Sequence, residues 1–490
     1  MTKTVRVVAA VLAILMGLSA IGMVAMYISA AEVYDGTSVS ASLSGSGTEA
    51  DPYLIANGAD LAYFAANPVD NASYKLTNDI VWSSYTKGSE LPTESNWNPI
   101  PFNGNFDGNG KTVSGLCVVS DAEGVGFFAY ADGSVKNLTV KDSYFKGKTN
   151  VGGIVGKITD FTDEQKDTDF VRYLVVENCV NYADIEVTSG NGYSGGIFGG
   201  ANRKNQIILT ISGCVNYGSV SYNSTSGNSI IGGIAGQLNG REIIVENCAN
   251  FGTVSSTTPL SGGIVAQTGG SSNKAGDGTL VKISNCINYA DVSGQRLSGG
   301  ITGRLYGNGV IENCVSVGKV TINIDNKNAA QYGHLAGLIT TEGSVKNSIY
   351  LEGCASNALA PDTAPGYVAG EAKAIADINS DATVTALGEA YALVDGVLTL
   401  KIVATAGQVE STEPEVPETT EPAPETTEPA PETTEPAPET TEPAPETTEP
   451  APETTEPGSS TPTGDSAIFY LVIAIVAIAA TGIVAKKREN

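Results

Sequence analysis

The sequence predicts an all-β chain: a right-handed parallel β-helix (β-solenoid) with small helical caps, followed by a disordered Pro/Glu/Thr stalk and a C-terminal transmembrane helix. Three observations carry this. A cysteine-centred phrase returns as Asn178-Cys179-Val180-Asn181-Tyr182, Gly213-Cys214-Val215-Asn216-Tyr217, Asn247-Cys248-Ala249-Asn250-Phe251, Asn285-Cys286-Ile287-Asn288-Tyr289 and Asn313-Cys314, with the cysteines 35, 34, 38 and 28 residues apart. A second phrase alternates with it, at Gly152-Gly153-Ile154-Val155-Gly156, Gly195-Gly196-Ile197-Phe198-Gly199, Gly232-Gly233-Ile234-Ala235-Gly236, Gly262-Gly263-Ile264-Val265 and Gly299-Gly300-Ile301-Thr302-Gly303. Paired phrases at a period of roughly 35 residues mark a repeat architecture. Finally, the residues six after each cysteine (Ile185, Val220, Val254, Val292, Val320) are all β-branched, which suits strands.

Within one repeat, Val176, Ile211, Val245, Ile283 and Ile311 precede the cysteines by three. Strict strand alternation would put them and the cysteines on opposite faces, yet both positions are apolar. The chain must therefore turn between them, at Asn178, Gly213, Asn247, Asn285 and Asn313, residue types that tolerate a left-handed corner. A second corner falls at Ala183, Gly218, Gly252, Ala290 and Gly318. Short strands joined this way stack into a solenoid whose cysteines form interior rungs. Leu138 and Ser348 occupy the cysteine position in the flanking copies, so it reads as a small buried site and not a metal ligand set. The spacing is also wrong for zinc, and free thiols are favoured over disulfides because stacked rungs seldom meet the bond's geometry.

Along the chain, residues 1–31 read as an export signal, with Lys3 and Arg6 before an apolar run from Val7 to Tyr27 and small residues at Ser29-Ala30-Ala31. An uncleaved anchor is the alternative. The repeat region spans 45–365. It opens with Gly45-Ser46-Gly47-Thr48-Glu49-Ala50-Asp51-Pro52-Tyr53, followed by a short helix over Ala59–Ala65 that covers the first open rung. Tyr74–Ile80 is expected to be the first strand, and Asp107-Gly108-Asn109-Gly110 a tight turn.

The opening phrase, Asn78-Asp79-Ile80, the Phe106–Gly110 turn and the Gly-Gly-Ile-x-Gly copies resemble the GLUG-motif family of bacterial surface proteins. Its Gly-Leu-x-Gly signature is matched with Ile for Leu at Gly153, Gly196, Gly233 and Gly300, while the copies at Gly263 and Gly337 end differently. The resemblance covers about residues 45–403. It implies extracellular β-helical stalks or adhesin-like modules, some attached to peptidases, and carries no catalytic residue over.

Residues 366–408 are expected to form a C-terminal cap, helical from Gly370 to Ala392, with a closing strand over Val397–Ile402. The stalk occupies 409–461. Its span from Glu410 to Pro457 holds 15 Glu and no Lys or Arg, a large part of the net charge of −26, and cannot build a core. At ~3.1 Å per residue in polyproline II, such a segment reaches on the order of 150 Å. Residues 462–490 resemble a Gram-positive cell-wall sorting signal: Pro462-Thr463-Gly464, an apolar run from Ala467 to Ala485, then Lys486-Lys487-Arg488. No Leu precedes Pro462, so sortase transfer between Thr463 and Gly464 and plain membrane retention both stand.

Little here reads as catalysis. One histidine, His334, excludes His-based triads elsewhere. The acidic cluster Asp160, Asp163, Glu164, Asp167 and Asp169 reads as a solvated insertion, and Asp107 as a turn residue. No phosphate loop, cofactor site or metal site is indicated, and the acidic charge argues against nucleic acid. The candidate binding residues are Tyr182, Tyr217, Phe251 and Tyr289, one per coil. They are either core-edge stacking or a row of rings facing a glycan or peptide. The expectation is a non-enzymatic, adhesin-like surface protein of a Gram-positive cell envelope, with a host glycan or extracellular protein as ligand. The alternative is an anchored β-helix polysaccharide lyase or hydrolase, which would need converging carboxylates.

Overall fold

The structure, a computed structural model, describes residues 32–188, 191–224, 229–257, 260–269, 279–295, 297–306, 308–322, 331–340, 343–353 and 372–406. The segments expected to be an export signal and a stalk, and the expected sorting-signal residues Pro462, Thr463 and Gly464, lie outside them. Among the described residues, no helix is long and apolar enough to cross a membrane.

The repeat region is a parallel β-solenoid. Each coil adds one short strand to each of several ladders, and equivalent repeat positions stand in register. Val180, Val215, Ala249, Ile287, Val315 and Ile349 follow one another on one sheet. Ile185, Val220, Val254, Val292 and Val320 do so on a second. The Gly-Gly phrase feeds two further ladders, one through Ile231, Ser261 and Ser298 and one through Phe198, Ala235, Val265, Thr302 and Ala336. The strands before the cysteines stack Val176, Ile211, Val245, Ile283 and Ile311. These last two ladders merge through the long strand Phe128–Lys136.

The corners are built as their residue types require. Asn178, Asn247, Asn285 and Asn313 take φ of 53°, 54°, 52° and 53°, and Gly213 takes 65°. The turn reverses the alternation, so the apolar residue three before each cysteine and the cysteine itself both face inward. Cys179, Cys214, Cys248, Cys286 and Cys314 are free thiols with no exposed surface. Each thiol donates to a backbone carbonyl, as Cys248 Sγ does to Glu246 O at 3.2 Å. Leu138 and Ser348 extend the same buried column.

The first open rung is plugged by the helix Gly58–Ala66, capped by the Asn57 side chain. Its Phe64 ring packs among Tyr74, Phe102, Phe106 and Phe128 at centroid distances of 4.3 to 6.4 Å. The first strand is earlier than the sequence reading placed it. Tyr53–Ile55 pairs in parallel with Ala72–Leu76, and the chain turns before Ile80–Val81 joins another sheet. Asn78 and Asp79 are corner residues, with Asn78 Nδ2 bound to Ala56 O and Asp79 Oδ1 accepting from Thr112 N.

The C-terminal region departs most from expectation. Ala372–Ile375, read as helix, is a strand that continues the parallel sheet beyond Ser348–Leu351. Only Asp381–Leu387 is helical before an antiparallel hairpin of Tyr391–Val394 and Val397–Leu400, and Lys401–Ala406 is a further short helix. Alanine-rich composition favours helix in isolation, but an open sheet edge next in sequence captured the first four residues. This unit also lies along the flank of the solenoid. Ile378, Leu387, Tyr391, Leu398 and Leu400 form one apolar cluster with the outward-facing Val215, Ala249, Ile287, Val315 and Ile349.

Candidate functional site

The site is best built from two neighbouring columns, Asn181 and Tyr182 and their counterparts in the following coils. Alternation along the strand sends the asparagine in and the ring out. Asn181, Asn216, Asn250 and Asn288 have no exposed surface. The Nδ2 of each of the first three donates to the Oδ1 of the asparagine one coil on, at 2.9, 2.9 and 2.8 Å. It also donates to its own coil's carbonyl two residues later, as from Asn250 to Gly252 O at 2.9 Å. The Oδ1 accepts from the backbone N–H of that same residue in the first three coils. A buried amide is thereby nearly saturated, and the second corner of the coil is held by a side chain.

This column explains the second repeated phrase. A Cβ added at Gly153, Gly196, Gly233 or Gly263 would fall within 3.0 Å of Asn181, Asn216, Asn250 or Asn288 respectively. At these four positions the second glycine is held bare from two sides, by the asparagine it rests on and by the backbone carbonyl of the next coil's glycine. The two phrases of the repeat thus meet in one contact. At Gly300 the side-chain partner is Ser316. In the last copy both partners change together. His334 replaces the glycine, Tyr350 stands at the asparagine position, and the two rings stack at 4.1 Å and 12°. The lone histidine is therefore buried structure.

The outward column stacks as the repeat predicts. Tyr182 and Tyr217 lie 4.6 Å apart at 6°, Tyr217 and Phe251 4.9 Å at 11°, and Phe251 and Tyr289 4.7 Å at 11°. The four rings form a continuous face, but the flank unit shares it. Tyr217, Phe251 and Tyr289 pack against the cluster of Leu398 and Leu400, and the Tyr289 hydroxyl donates to Leu398 O. Burial pushes the Tyr217 and Tyr289 phenols above their ordinary range. All four rings are half-buried, and Tyr182 is not part of that cluster. Beside it, Lys87 bonds Tyr182 O at 3.3 Å and Asp184 at 2.8 Å.

Asp160 and Asp163 of the acidic insertion are held in local ion pairs. Lys157 holds Asp160 at 2.6 Å and Glu123 at 3.1 Å, and Lys166 holds Asp163 at 2.7 Å. Arg172 pairs with Asp132 at 2.5 Å and lies over the Phe161 and Phe170 rings. Asp107 Oδ1 accepts from Asn109 N at 2.8 Å and from Asn137 Nδ2 at 2.9 Å, which accounts for it as a turn residue. Among the described residues, no three His, Cys, Asp or Glu side chains are placed to hold a metal.

Sequence reasoning found the rings and the thiols and missed the asparagines and the flank cover. The signals were present: asparagine two after each of four cysteines, and an apolar residue directly after each cysteine on a strand whose outer face would otherwise meet water.

No protein-family model matches the chain. A segment of 126 residues is 30% identical to halomucin from Haloquadratum walsbyi, which covers 25% of this chain and 1% of halomucin. Among solved structures, the chain is similar to a Bacteroides ovatus protein named a putative immunoglobulin A1 protease. That match has 18% identity and a TM-score of 0.46, and covers 73% of this chain and 94% of the other.

Proposed function

We propose that this protein is a cell-surface display solenoid, adhesin-like and without catalytic activity, held at the envelope through its C-terminal segment. The observation that supports it most is the one-per-coil geometry of its outward groups. Rings recur at 4.6 to 4.9 Å along the axis and are spread over successive coils instead of converging on a point. A partner with its own repeat, such as a glycan chain, would meet equivalent contacts in sequence. Single contacts of this kind are weak, and many copies on one surface raise the avidity. The export signal, acidic stalk and basic-tailed apolar run fit this role, as does the partial likeness to halomucin. The GLUG-like phrases fit the same reading.

The test uses the full chain on mucin-coated surfaces and a glycan array, with reducing-sugar release measured in parallel. Saturable binding without release of sugar is the expected result. Turnover of any polysaccharide would replace this reading with that of a surface-anchored lyase or hydrolase.

A further inference from the structure

The flank unit raises a question that the display reading leaves open: why an outward face of the solenoid is apolar at all. Val215, Ala249, Ile287, Val315 and Ile349 occupy successive coils on one outer face, and residues 378–403 lie over them. The covering unit departs from the last coil, where Ala372–Ile375 pairs with Ser348–Leu351. It runs back along the flank as far as the coil of Cys214, where Ile402 Cδ1 occupies the space a side chain at Gly213 would need. Gly213 is the one corner of the cysteine series that is not asparagine. The exception in the repeat thus falls where the far end of the cover lands.

Polar ties of the cover lie at its attached end and midway along it, where the Tyr289 hydroxyl donates to Leu398 O. The Tyr391 hydroxyl donates to Asn313 O at 2.7 Å, and Asn347 Nδ2 donates to Ala386 O at 2.7 Å. At the far end the contacts of Ile402 and Val403 are apolar.

We propose that residues 376–406 form a releasable strap over the aromatic row, and that tension arriving through the chain beyond 406 peels it from the Ile402 end. In that direction its contacts are loaded a few at a time. The solenoid sheets, with many parallel hydrogen bonds per coil, are held by cooperative ladders. Peeling removes the cover from Tyr217, Phe251 and Tyr289, which pack against it, so more of the ring row is exposed when the anchored protein is pulled. This regulation rests on the display reading above.

Two readouts test the strap without any ligand. In single-molecule pulling of the full chain, one handle is placed at Tyr173→azidophenylalanine, on an exposed solenoid position, and the other at the C-terminus. The first event is expected at the lowest force and should release roughly 30 residues, on the order of 100 Å of contour. A first event several times longer, or none of that size, would overturn the strap. In the second readout, a thiol reagent should label Phe251→Cys at least tenfold faster when Leu398→Asp loosens the strap, with the β circular-dichroism signal kept. An unchanged rate in a folded variant would equally overturn it. A third arm compares binding of wild type and Leu398→Asp to mucin. Stronger binding by the variant supports gating, and equal non-zero binding refutes gating. A strap seen in the first two arms with no mucin binding by either protein would instead sink the display reading and leave the strap in place.

Discussion

Asn250 and Phe251 are adjacent in sequence, each recurs once per coil, and their environments are opposite. The asparagine has no exposed surface and is tied to the coils on both sides, at Asn216 and Asn288. The ring stacks on its neighbours from outside and is partly covered by the strap. Regular recurrence therefore says that a position matters to the stacking of coils, and not whether it faces the core or a partner. Direction decides that, and direction follows from where the chain turns.

The strongest way to break the inner half of this comparison is a charge in the thiol column. Cys248→Asp would bury a carboxylate with no partner and is expected to cost several kcal/mol, on the order of 3 or more, or to prevent folding. Urea unfolding followed by circular dichroism measures it, and a loss under ~1 kcal/mol would mean the column is not interior.

Next in size is the asparagine column. Asn250→Ala leaves the Asn216 amide and the Asn288 carbonyl oxygen short of a partner and opens a void under Gly233. The expected loss is about 2 to 4 kcal/mol. Gly233→Ala should be comparable, because its Cβ would overlap Asn250 and Gly263 O. If the two phrases are one contact, Asn250→Ala with Gly233→Ala should cost less than the sum of the single changes in a double-mutant cycle.

The outer column should respond more weakly and unevenly. Tyr217→Ser removes a ring pressed between neighbours and strap, with an expected loss of about 2 kcal/mol, whereas Tyr182→Ser should cost under ~1 kcal/mol. Equal losses at the two positions would show that the strap adds nothing to the row's burial.

Alkaline stability probes the buried thiols by another route. Burial pushes the Cys179 thiol well above its ordinary value, and that of Cys117, buried at the start of the strand Cys117–Val125 outside the column, up to about 11. The raised groups keep their protons in the folded state while the unfolded chain loses them. Their contribution is thus complete below the unfolded value, ~8.5, and falls as pH rises toward the folded one. The denaturation midpoint should drop between about pH 8.5 and 11. Replacing Cys179 and Cys117 with Ala should flatten that drop at some cost in overall stability.

Much of the solenoid was legible because its rules are local. Asn178 and its counterparts announce a left-handed corner, and a corner between two apolar positions forces both inward. The N-terminal helix was legible for the same reason, since Leu61 and Phe64 sit one turn apart on one face. Tyr53–Ile55 was missed as a strand because three residues carry almost no period, and its partner Ala72–Leu76 supplies the reason to be extended. The strap's position was not legible from its own residues. It depends on Val215, Ala249 and Ile287 lying outside, which only the corner geometry establishes. Ala372–Ile375 was read as helix because its fate is set by an unpaired edge and not by alanine propensity.

The most direct test of the inward–outward account compares two thiols three residues apart in one coil. In Tyr182→Cys, the introduced thiol lies on the partly exposed outer face, while Cys179 lies in the interior column. Native-state alkylation mapped by peptide mass spectrometry should modify residue 182 within minutes and leave Cys179, Cys214, Cys248, Cys286 and Cys314 unmodified until denaturant is added. Rapid native modification of Cys179, or protection of residue 182, would contradict the account.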